Sequence, residues 1–560
     1  KTLHRHYFNA IAGYNQESSR IGTSTIQRSG VISPSLPTPQ LATGIPLVGE
    51  RVKSWAIRGA FFRLNYIYND RYIVEFNGRY DGSSKFPKDK RFGFFPSASA
   101  AWRVDKEKFW EPLSNIVNTF KLRGSYGALG NQSGVGEYDY MERMSASNAN
   151  YLFDGVRPVT ILSPRPVSSN YTWEKVYTRN FGVDLGFLQQ RISATFDIYR
   201  RDTKDMLTQG KKLPGVFGAP EPLENAADLK TQGWEMSLGY DDEFSVAGKP
   251  LHFNARFILS DNRTYITRFD NPNKNLTQYY EGKELGEIWG LKSDGLFKNQ
   301  EEINNLDESS IIPWGALNIV PGWPKYHDLD GNHAIEKGTT VNDPKDLSVI
   351  GNITPRYRYG INLGGEWNGF DFRIFFQGVG KMDYYPLNYL YWGYYQQPYA
   401  GGYEHLLDFY RGADDSEALR AQHSQSYLDA GLADAHTDAK YPVLQSWLAD
   451  RNLGERIDQA QGLAIPQTRY LLNGAYLRLK NLTIGYSIPR AVLERVHINR
   501  LRIYASGENL AEWSAVKKYF DPEAITDNIN KTNPQSQTST GWGYAYPFQR
   551  RYSFGLELSF

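Results

Sequence analysis

Apolar and polar residues alternate with a period of two along much of this 560-residue chain, the spacing of strands with one greasy and one wet face. The last residues show it best. Tyr552, Phe554, Leu556, Leu558 and Phe560 fall on one side, and Ser553, Gly555, Glu557 and Ser559 on the other. The pattern returns at Tyr72, Val74, Phe76 and Tyr80 against Glu75, Asn77, Arg79 and Asp81. Phe181, Val183, Leu185 and Phe187 repeat it, as do Ile192, Ala194, Phe196 and Ile198, and Phe370, Phe372, Ile374 and Phe376. From Leu477 to Tyr486 the alternation begins in one register and ends in the other, which predicts a bulge or bend.

About fourteen strands are predicted, near 3–14, 52–68, 71–82, 93–104, 118–129, 173–188, 190–205, 229–242, 250–262, 356–368, 369–381, 473–489, 496–510 and 550–560. Tight joins are expected at Asn69-Asp70, Leu188-Gln189, Asp241 to Lys249, Asn368-Gly369 and Pro489 to Arg495. Residues 105–117 read as a helix on the same side, with Asp105 as its N-cap. The alternate joins are long, near 15–51, 130–172, 206–228, 263–355, 382–472 and 511–549, with 83–92 a shorter member. Short turns on one side and long loops on the other are the polarity of a bacterial outer-membrane barrel. The fold class expected is all-β: a transmembrane antiparallel β-barrel with short periplasmic turns and long extracellular loops.

Composition strengthens this reading. Tyr numbers 39 and aromatics reach 14% of the chain, while the mean hydropathy is −0.55. A barrel whose lipid-facing residues alternate with lumen-facing ones, and whose rims carry Tyr and Trp, combines these properties. No run of about 18 apolar residues predicts a membrane helix. The net charge of +2 implies neither a polyanionic nor a polycationic partner, so no nucleic acid is expected. The absence of Cys removes disulfide frameworks, Cys-based zinc sites and a Cys nucleophile. Lys1 to Arg20 holds no leader-like apolar core, so the chain is expected to be mature and to lack its N-terminal part.

Specific strings then become recognisable. Asp81–Phe86 (DGSSKF), Arg91–Arg103 (RFGFFPSASAAWR) and Leu122–Gln132 (LRGSYGALGNQ) resemble SusC-like TonB-dependent transporters of the Bacteroidota. Phe375–Gly380 (FFQGVG), Gly474–Tyr486 (GAYLRLKNLTIGY) and Leu501–Leu510 (LRIYASGENL) do so in the same order. The resemblance implies a 22-strand barrel behind an N-terminal plug. Residues 1–560 then form the C-terminal part of the barrel, about the last 14 strands, with the plug, the TonB-contact segment and the first strands absent. A 14-strand sheet alone leaves two open edges in lipid, so something must complete it. The terminal Phe560 resembles the signal read by the barrel-assembly machinery, and is also the last lipid-facing position.

Three clusters are candidates for chemistry. Tyr389, Tyr391, Trp392, Tyr394, Tyr395, Tyr399 and Tyr403, part of a run that starts at Tyr384 and Tyr385, follow a strand heading outward. They could stack on sugar rings or dock a lid protein; the plainer reading is an aromatic girdle with loop packing. Asp328, Asp330 and Asn332 stand at the first, third and fifth places of a calcium loop, with Glu336 at the ninth. His333 replaces the turn glycine and Thr339 the bidentate Glu of that motif, so the alternative is an Asx turn closed on its own backbone. His4 and His6 share a strand face, where a metal or, more simply, a lumen-facing or interface pair is expected. No H-E-x-x-H, phosphate-cradling glycine loop or G-x-S-x-G elbow occurs, so no enzyme is expected.

The function implied by the resemblance is TonB-dependent import of a nutrient, foremost an oligosaccharide, under a SusD-like surface lipoprotein. An oligopeptide cargo, or a surface barrel that binds without transporting, are the alternatives.

Overall fold

The computed structural model describes residues 2–3, 5–211, 213–306, 319–387, 389–446, 448–449, 462–494, 497–525 and 547–560. Fourteen long strands form its framework: β1 (His6–Gln27), β2 (Leu47–Tyr68), β3 (Tyr72–Ser83), β4 (Phe92–Arg103), β5 (Val117–Asn131), β6 (Glu174–Phe187) and β7 (Ile192–Gln209). They continue as β8 (Leu223–Val246), β9 (Lys249–Arg268), β10 (Arg356–Trp367), β11 (Phe370–Lys381), β12 (Tyr476–Ser487), β13 (Arg500–Ser514) and β14 (Arg551–Ser559). The sheet order follows the chain order, each strand bonded to its predecessor. It has fifteen members, because Thr2–Leu3 folds back on His6 and Tyr7 as a two-residue strand. Every predicted span meets one of the long strands.

The tight joins follow from backbone chemistry. Asn69 and Asp70 both sit at positive φ (52° and 54°), as do Asn368 (47°) and Gly369 (87°). Two consecutive left-handed residues suit the right-handed twist of flanking strands. The join expected at Asp241 to Lys249 is tighter than predicted. The strands run on to Val246 and resume at Lys249, leaving Ala247 and Gly248 (φ 51° and 73°) to make the turn. β1 and β2 also exceed their predicted lengths, pairing residue by residue from His6–Tyr68 to Gln27–Leu47. Their outer halves carry Ile21, Thr23, Thr25, Ile26 and Val52, which suit strands without strict alternation.

The helix expected over 105–117 is instead two 3-10 turns, Val104–Lys106 and Lys108–Leu113. Pro112 lies in the second and has no N–H for an α-helical bond. Asp105 is not an N-cap: its carboxylate accepts from the Arg103 guanidinium at 2.7 Å and from the Phe120 N–H at 3.4 Å.

The register change in β12 is a bulge. Lys480 is skipped between Leu479 and Asn481 in both ladders, and Asn509 opposite takes φ 52°. The extra residue keeps Leu477, Leu479, Leu482, Ile484 and Tyr486 on one face.

The chain divides into two compact units. The first comprises Lys1–Leu185, Asp197–Gln232 and Ile266–Asp270; the second Gly186–Phe196, Gly233–Tyr265 and Asn271–Phe560. In the first, a small core of Phe86, Phe95, Val135, Tyr171 and Trp173 ties loop bases to strands. The Trp173 indole N–H donates to the Arg91 carbonyl at 2.9 Å. In the second, a far larger core is built from the connections that follow β9, β11 and β13 together with Val379 of β11 and Tyr476 of β12.

On the polar face of each unit, an arginine crosses a glycine to reach a carboxylate. Arg123 of β5 binds Asp184 of β6 (2.9 Å) and Asp197 of β7 (2.8 Å). A Cβ on Gly182 would stand 2.7 Å from its guanidinium. Arg502 of β13 reaches Asp371 of β11 at 2.6 Å; a Cβ on Gly485 of the intervening β12 would meet the Arg502 Nε at 2.6 Å and Asp371 Oδ1 at 2.5 Å.

Candidate functional site

The second unit's connections fold into an aromatic cap. Short elements supply it: the strand pairs Glu287–Leu291 with Leu347–Asn352 and Ser293–Leu296 with Pro324–Tyr326, and the turn Tyr389–Trp392. Tyr385, Tyr391, Trp392, Tyr395, Tyr441 and Tyr470 are at most 1% exposed. Trp392 meets Tyr391, Tyr395, Tyr441 and Tyr470 edge-on at 4.9–6.3 Å between centroids. Tyr441 stacks on Tyr470 at 5.6 Å.

A buried polar tip needs a partner in such a core, and each of these six rings has one. The Tyr385 hydroxyl donates to the Leu463 carbonyl (2.6 Å) and that of Tyr395 to the Pro442 carbonyl (2.6 Å). The Trp392 N–H donates to the Pro386 carbonyl (2.8 Å), and the Tyr391 and Tyr441 hydroxyls pair at 3.0 Å. Burial pushes the Tyr391, Tyr395 and Tyr441 phenols far above their ordinary range, so they stay neutral donors. Burial also pushes the His405 imidazole down, with Lys440 adding to the shift against the Tyr391 carbonyl at 2.9 Å.

The seven aromatic candidates therefore separate. Tyr391, Trp392 and Tyr395 are structural members of the core. Tyr403 is half-buried and stacks on His405 at 5.9 Å. Tyr394 and Tyr399 are exposed, by 40% and 76%. The Tyr389 side chain lies outside what is described. Tyr441, Tyr470 and Tyr519, which complete the core, carry no local signal in sequence that links them to the cluster.

The acidic turn also folds as a unit. Asp328 accepts from the N–H groups of Gly331 (2.7 Å) and His333 (2.8 Å). His333 takes φ 62°, so it adopts the conformation for which a glycine was expected. The Asn332 amide donates to Asp330 (3.3 Å) and Glu336 (3.2 Å). The sequence reading missed Asp346. Fully buried, it accepts from the N–H groups of Leu329 and Glu336, both at 2.7 Å. Carboxylate oxygens of Asp328, Asp330 and Asp346 lie within 4.8 Å of one another.

Burial lifts the Asp346 carboxyl above its ordinary range, the two N–H donors oppose the rise, and Asp330 and Asp328 add to it. For Asp328, desolvation pushes upward, but N–H groups of His333, Gly331 and Asn332 hold it below its usual value. One internal cation reaches the turn: the Lys345 ammonium, 3.9 Å from Asp330 and 4.0 Å from Glu336. Three converging carboxylates with an amide oxygen nearby are the donor chemistry of a hard cation.

His4 lies outside the described residues. His6 sits in an aromatic group with Phe8, Tyr66 and Tyr68, its Nδ1 at 2.9 Å from the Tyr66 hydroxyl.

The sequence profile of the family described as TonB dependent receptor-like, beta-barrel, matches residues 4–510. TonB-dependent receptor P3 of Formosa agariphila is 28% identical over 517 residues, covering 89% of this chain and 45% of that relative. TonB-dependent receptor SusC of Bacteroides thetaiotaomicron is 36% identical over 210 residues, covering 37% of this chain and 20% of that relative. The chain spans about half the length of the curated relatives it matches along its length. Among solved structures, the RagAB peptide transporter superimposes with a TM-score of 0.70 at 22% identity, covering 99% of this chain and 54% of that one. The RagAB peptide importer in its open-open state gives 0.71 at 22%, covering 100% and 53%. At such identities the likeness concerns the fold.

Proposed function

The chain belongs to the TonB-dependent receptor β-barrel family, with SusC among its relatives, and on that premise we propose that it is the greater part of the barrel of an energised nutrient importer. Its place is the outer membrane. No helix among the described residues is long and apolar enough to cross a membrane; the crossing elements are strands. In this reading the apolar sheet face meets lipid and the polar face lines the lumen. In the same reading a plug, a TonB-contact segment and further strands complete the transporter. The role requires no bond chemistry.

The observation that carries the reading is the pairing of a two-faced sheet with a packed aromatic cap. A cap folded as firmly as a domain is a platform for recognition rather than a set of loose connectors. Cargo is an oligosaccharide or an oligopeptide. Exposed Tyr394 and Tyr399 support the first through ring stacking, though the burial of Tyr391, Trp392 and Tyr395 takes three rings from that role. The fold shared with the RagAB peptide transporter lends weight to the second. A SusD-like lipoprotein acts as lid, a reading supported by apolar loop residues in the first unit, where Ile45 and Phe153 are 88% and 74% exposed. Such surface commonly marks contact with another molecule.

We further propose that the acidic turn takes Ca2+ through Asp328, Asp330, Asn332 and Glu336, with Asp346 completing the set. Hydrogen exchange over 328–346 tests this: calcium should slow it, and unchanged exchange would remove the cation.

The import reading is tested in the native bacterium. Uptake of labelled oligosaccharides and peptides is compared in the wild type, a deletion of this gene and a strain lacking TonB. Loss of one cargo class in both mutants is expected. Uptake that persists without TonB would leave only a binding barrel.

A further inference from the structure

Registered strands place side chains of the second unit's polar face in rows. One row runs Arg256 (β9), Asn362 (β10), Phe375 (β11) and Asn481 (β12). The next runs Asn254, Gly364, Arg373 and Thr483. Strands lie about 4.8 Å apart and residues rise about 3.4 Å, so Arg256 and Arg373 stand about 12 Å apart, with Asn362 and Gly364 between them. Asn254, Asn362, Arg373, Phe375 and Asn481 line a hollow of about 360 Å3. A second hollow of about 540 Å3 shares Phe375 and adds Arg358, Gln377 and Tyr476.

Three arginines of this wall carry charge that no ion pair takes up among the described residues. Elsewhere on the polar faces, Arg63 holds Glu75, Arg79 holds Asp81, Arg123 holds two aspartates and Arg502 holds Asp371 and Glu557. Arg256, Arg358 and Arg373 are exposed and make no ion pair or hydrogen bond among the described residues. The carboxylates at the lower rim are Asp371, already neutralised by Arg502, and Glu366. The Asn254 and Asn362 amides also make no hydrogen bond among the described residues. Gly364 leaves room for the first: a Cβ there would meet Asn254 Oδ1 at 2.8 Å.

We propose that this wall is a binding site for a carboxylate-bearing oligomer passing through the lumen, an inference that rests on the import reading above. A planar guanidinium with free donors matches a carboxylate through two parallel bonds. The two amides supply donors and acceptors for hydroxyl or peptide groups, and Phe375 offers an apolar face to a ring or side chain. Arg358 and Arg256 lead from the outer rim to Arg373, so an anionic chain meets a new cation at each step. Such a lined path also concentrates anions.

The test is calorimetric titration of the purified full-length protein with matched probes. One pair is hexagalacturonate against maltohexaose; the other is a Glu-Gly hexapeptide against its Gln-Gly counterpart. In at least one pair the anionic member is expected to bind about tenfold tighter at low salt, as for hydrogen bonds to a charged group. Added salt should shrink the preference. An Arg256→Gln/Arg373→Gln double variant should abolish the preference and keep the thermal transition, while Arg373→Lys restores part of it. The two pairs distinguish a uronate from an acidic peptide. Equal binding within both pairs, no binding of either anionic probe, or a preference that survives the double variant overturns the site. TonB-dependent uptake without charge preference would do so while leaving the import reading intact.

Discussion

In the connection between β5 and β6, Met144, Leu152, Phe153, Val156, Val159 and Ile161 are 66–74% exposed. In the connection between β11 and β12, Tyr391, Trp392 and Tyr395 are fully buried. Both regions are rich in large apolar side chains, and both leave the same kind of sheet. The base of the first packs at Val135, Tyr171 and Trp173, but its outer part is a hairpin, Ser145–Asn148 on Val159–Leu162, with no third layer over it among the described residues, and such a pair cannot bury its own side chains. The second brings rings that each carry a polar handle. A tyrosine hydroxyl that finds a carbonyl in another segment stitches segments together while the ring supplies buried area. Hydrophobic content alone therefore does not decide burial here; the presence of partner segments and of a hydrogen-bonding tip does.

The largest expected effect breaks or upholds that contrast. Trp392→Ala should cost the cap about 3–5 kcal/mol, seen as faster hydrogen exchange through 389–446. Phe153→Ala should stay within about 0.5 kcal/mol. Equal effects would mean that the two regions are packed alike.

The contrast lies in the connections and not in the sheet, where both units use an arginine crossing a glycine. Gly485→Val and Gly182→Val should each cost about 1–3 kcal/mol by forcing the guanidinium aside, read as a lower temperature of gel-shift unfolding. Gly124→Ala, with nothing within 4 Å of its Cβ, is the neutral control. A large effect in one unit only would end the parallel.

Much of this was legible beforehand. Alternation marks strands because each residue's side is fixed by its parity, so all fourteen spans were placed and the skip at Lys480 showed as a change of register. The outer extents of β1 and β2 were not legible, since residues 15–27 do not alternate strictly between apolar and polar. The cap was half legible. The run from Tyr384 to Tyr403 stands out, but its burial depends on Tyr441, Leu463 and Tyr470, which are remote in sequence. Asp346 was hidden in the same way: only the fold brings it beneath Asp328 and Asp330. The idle arginines are visible as polar positions of strands, yet their lack of partners depends on neighbours across three ladders.

Smaller effects sharpen the role of the polar handle. Tyr395→Phe leaves the Pro442 carbonyl without its donor and should cost about 1–2 kcal/mol in cap stability. Tyr394→Phe, at the exposed neighbour, should cost nothing measurable by the same exchange experiment.

The smallest concerns pH at the acidic turn. The folded Asp346 carboxyl sits above the ordinary 3.8, so the folded turn holds its proton more tightly than the unfolded chain. That carboxyl's contribution to stability is therefore highest below the ordinary value, falls as pH rises through to the raised one, and stays lower above it, while Asp328, held below its usual value, contributes with the opposite sign. A bound cation reverses this. Calcium affinity measured by titration calorimetry should drop as pH falls through the raised range, and Asp346→Asn should flatten the profile.

The central claim is that the sheet's apolar face meets lipid and its polar face meets water. The chain has no Cys, so spin labels can be placed singly along β11, from Phe370 to Gln377, with any cysteine in the rest of the protein first replaced. Relaxation by oxygen and by a water-soluble nickel chelate is then recorded in outer-membrane vesicles. The account predicts a period of two, with 370, 372, 374 and 376 reached by oxygen and 371, 373, 375 and 377 by nickel. A uniform profile, or the same period in opposite phase, would contradict it.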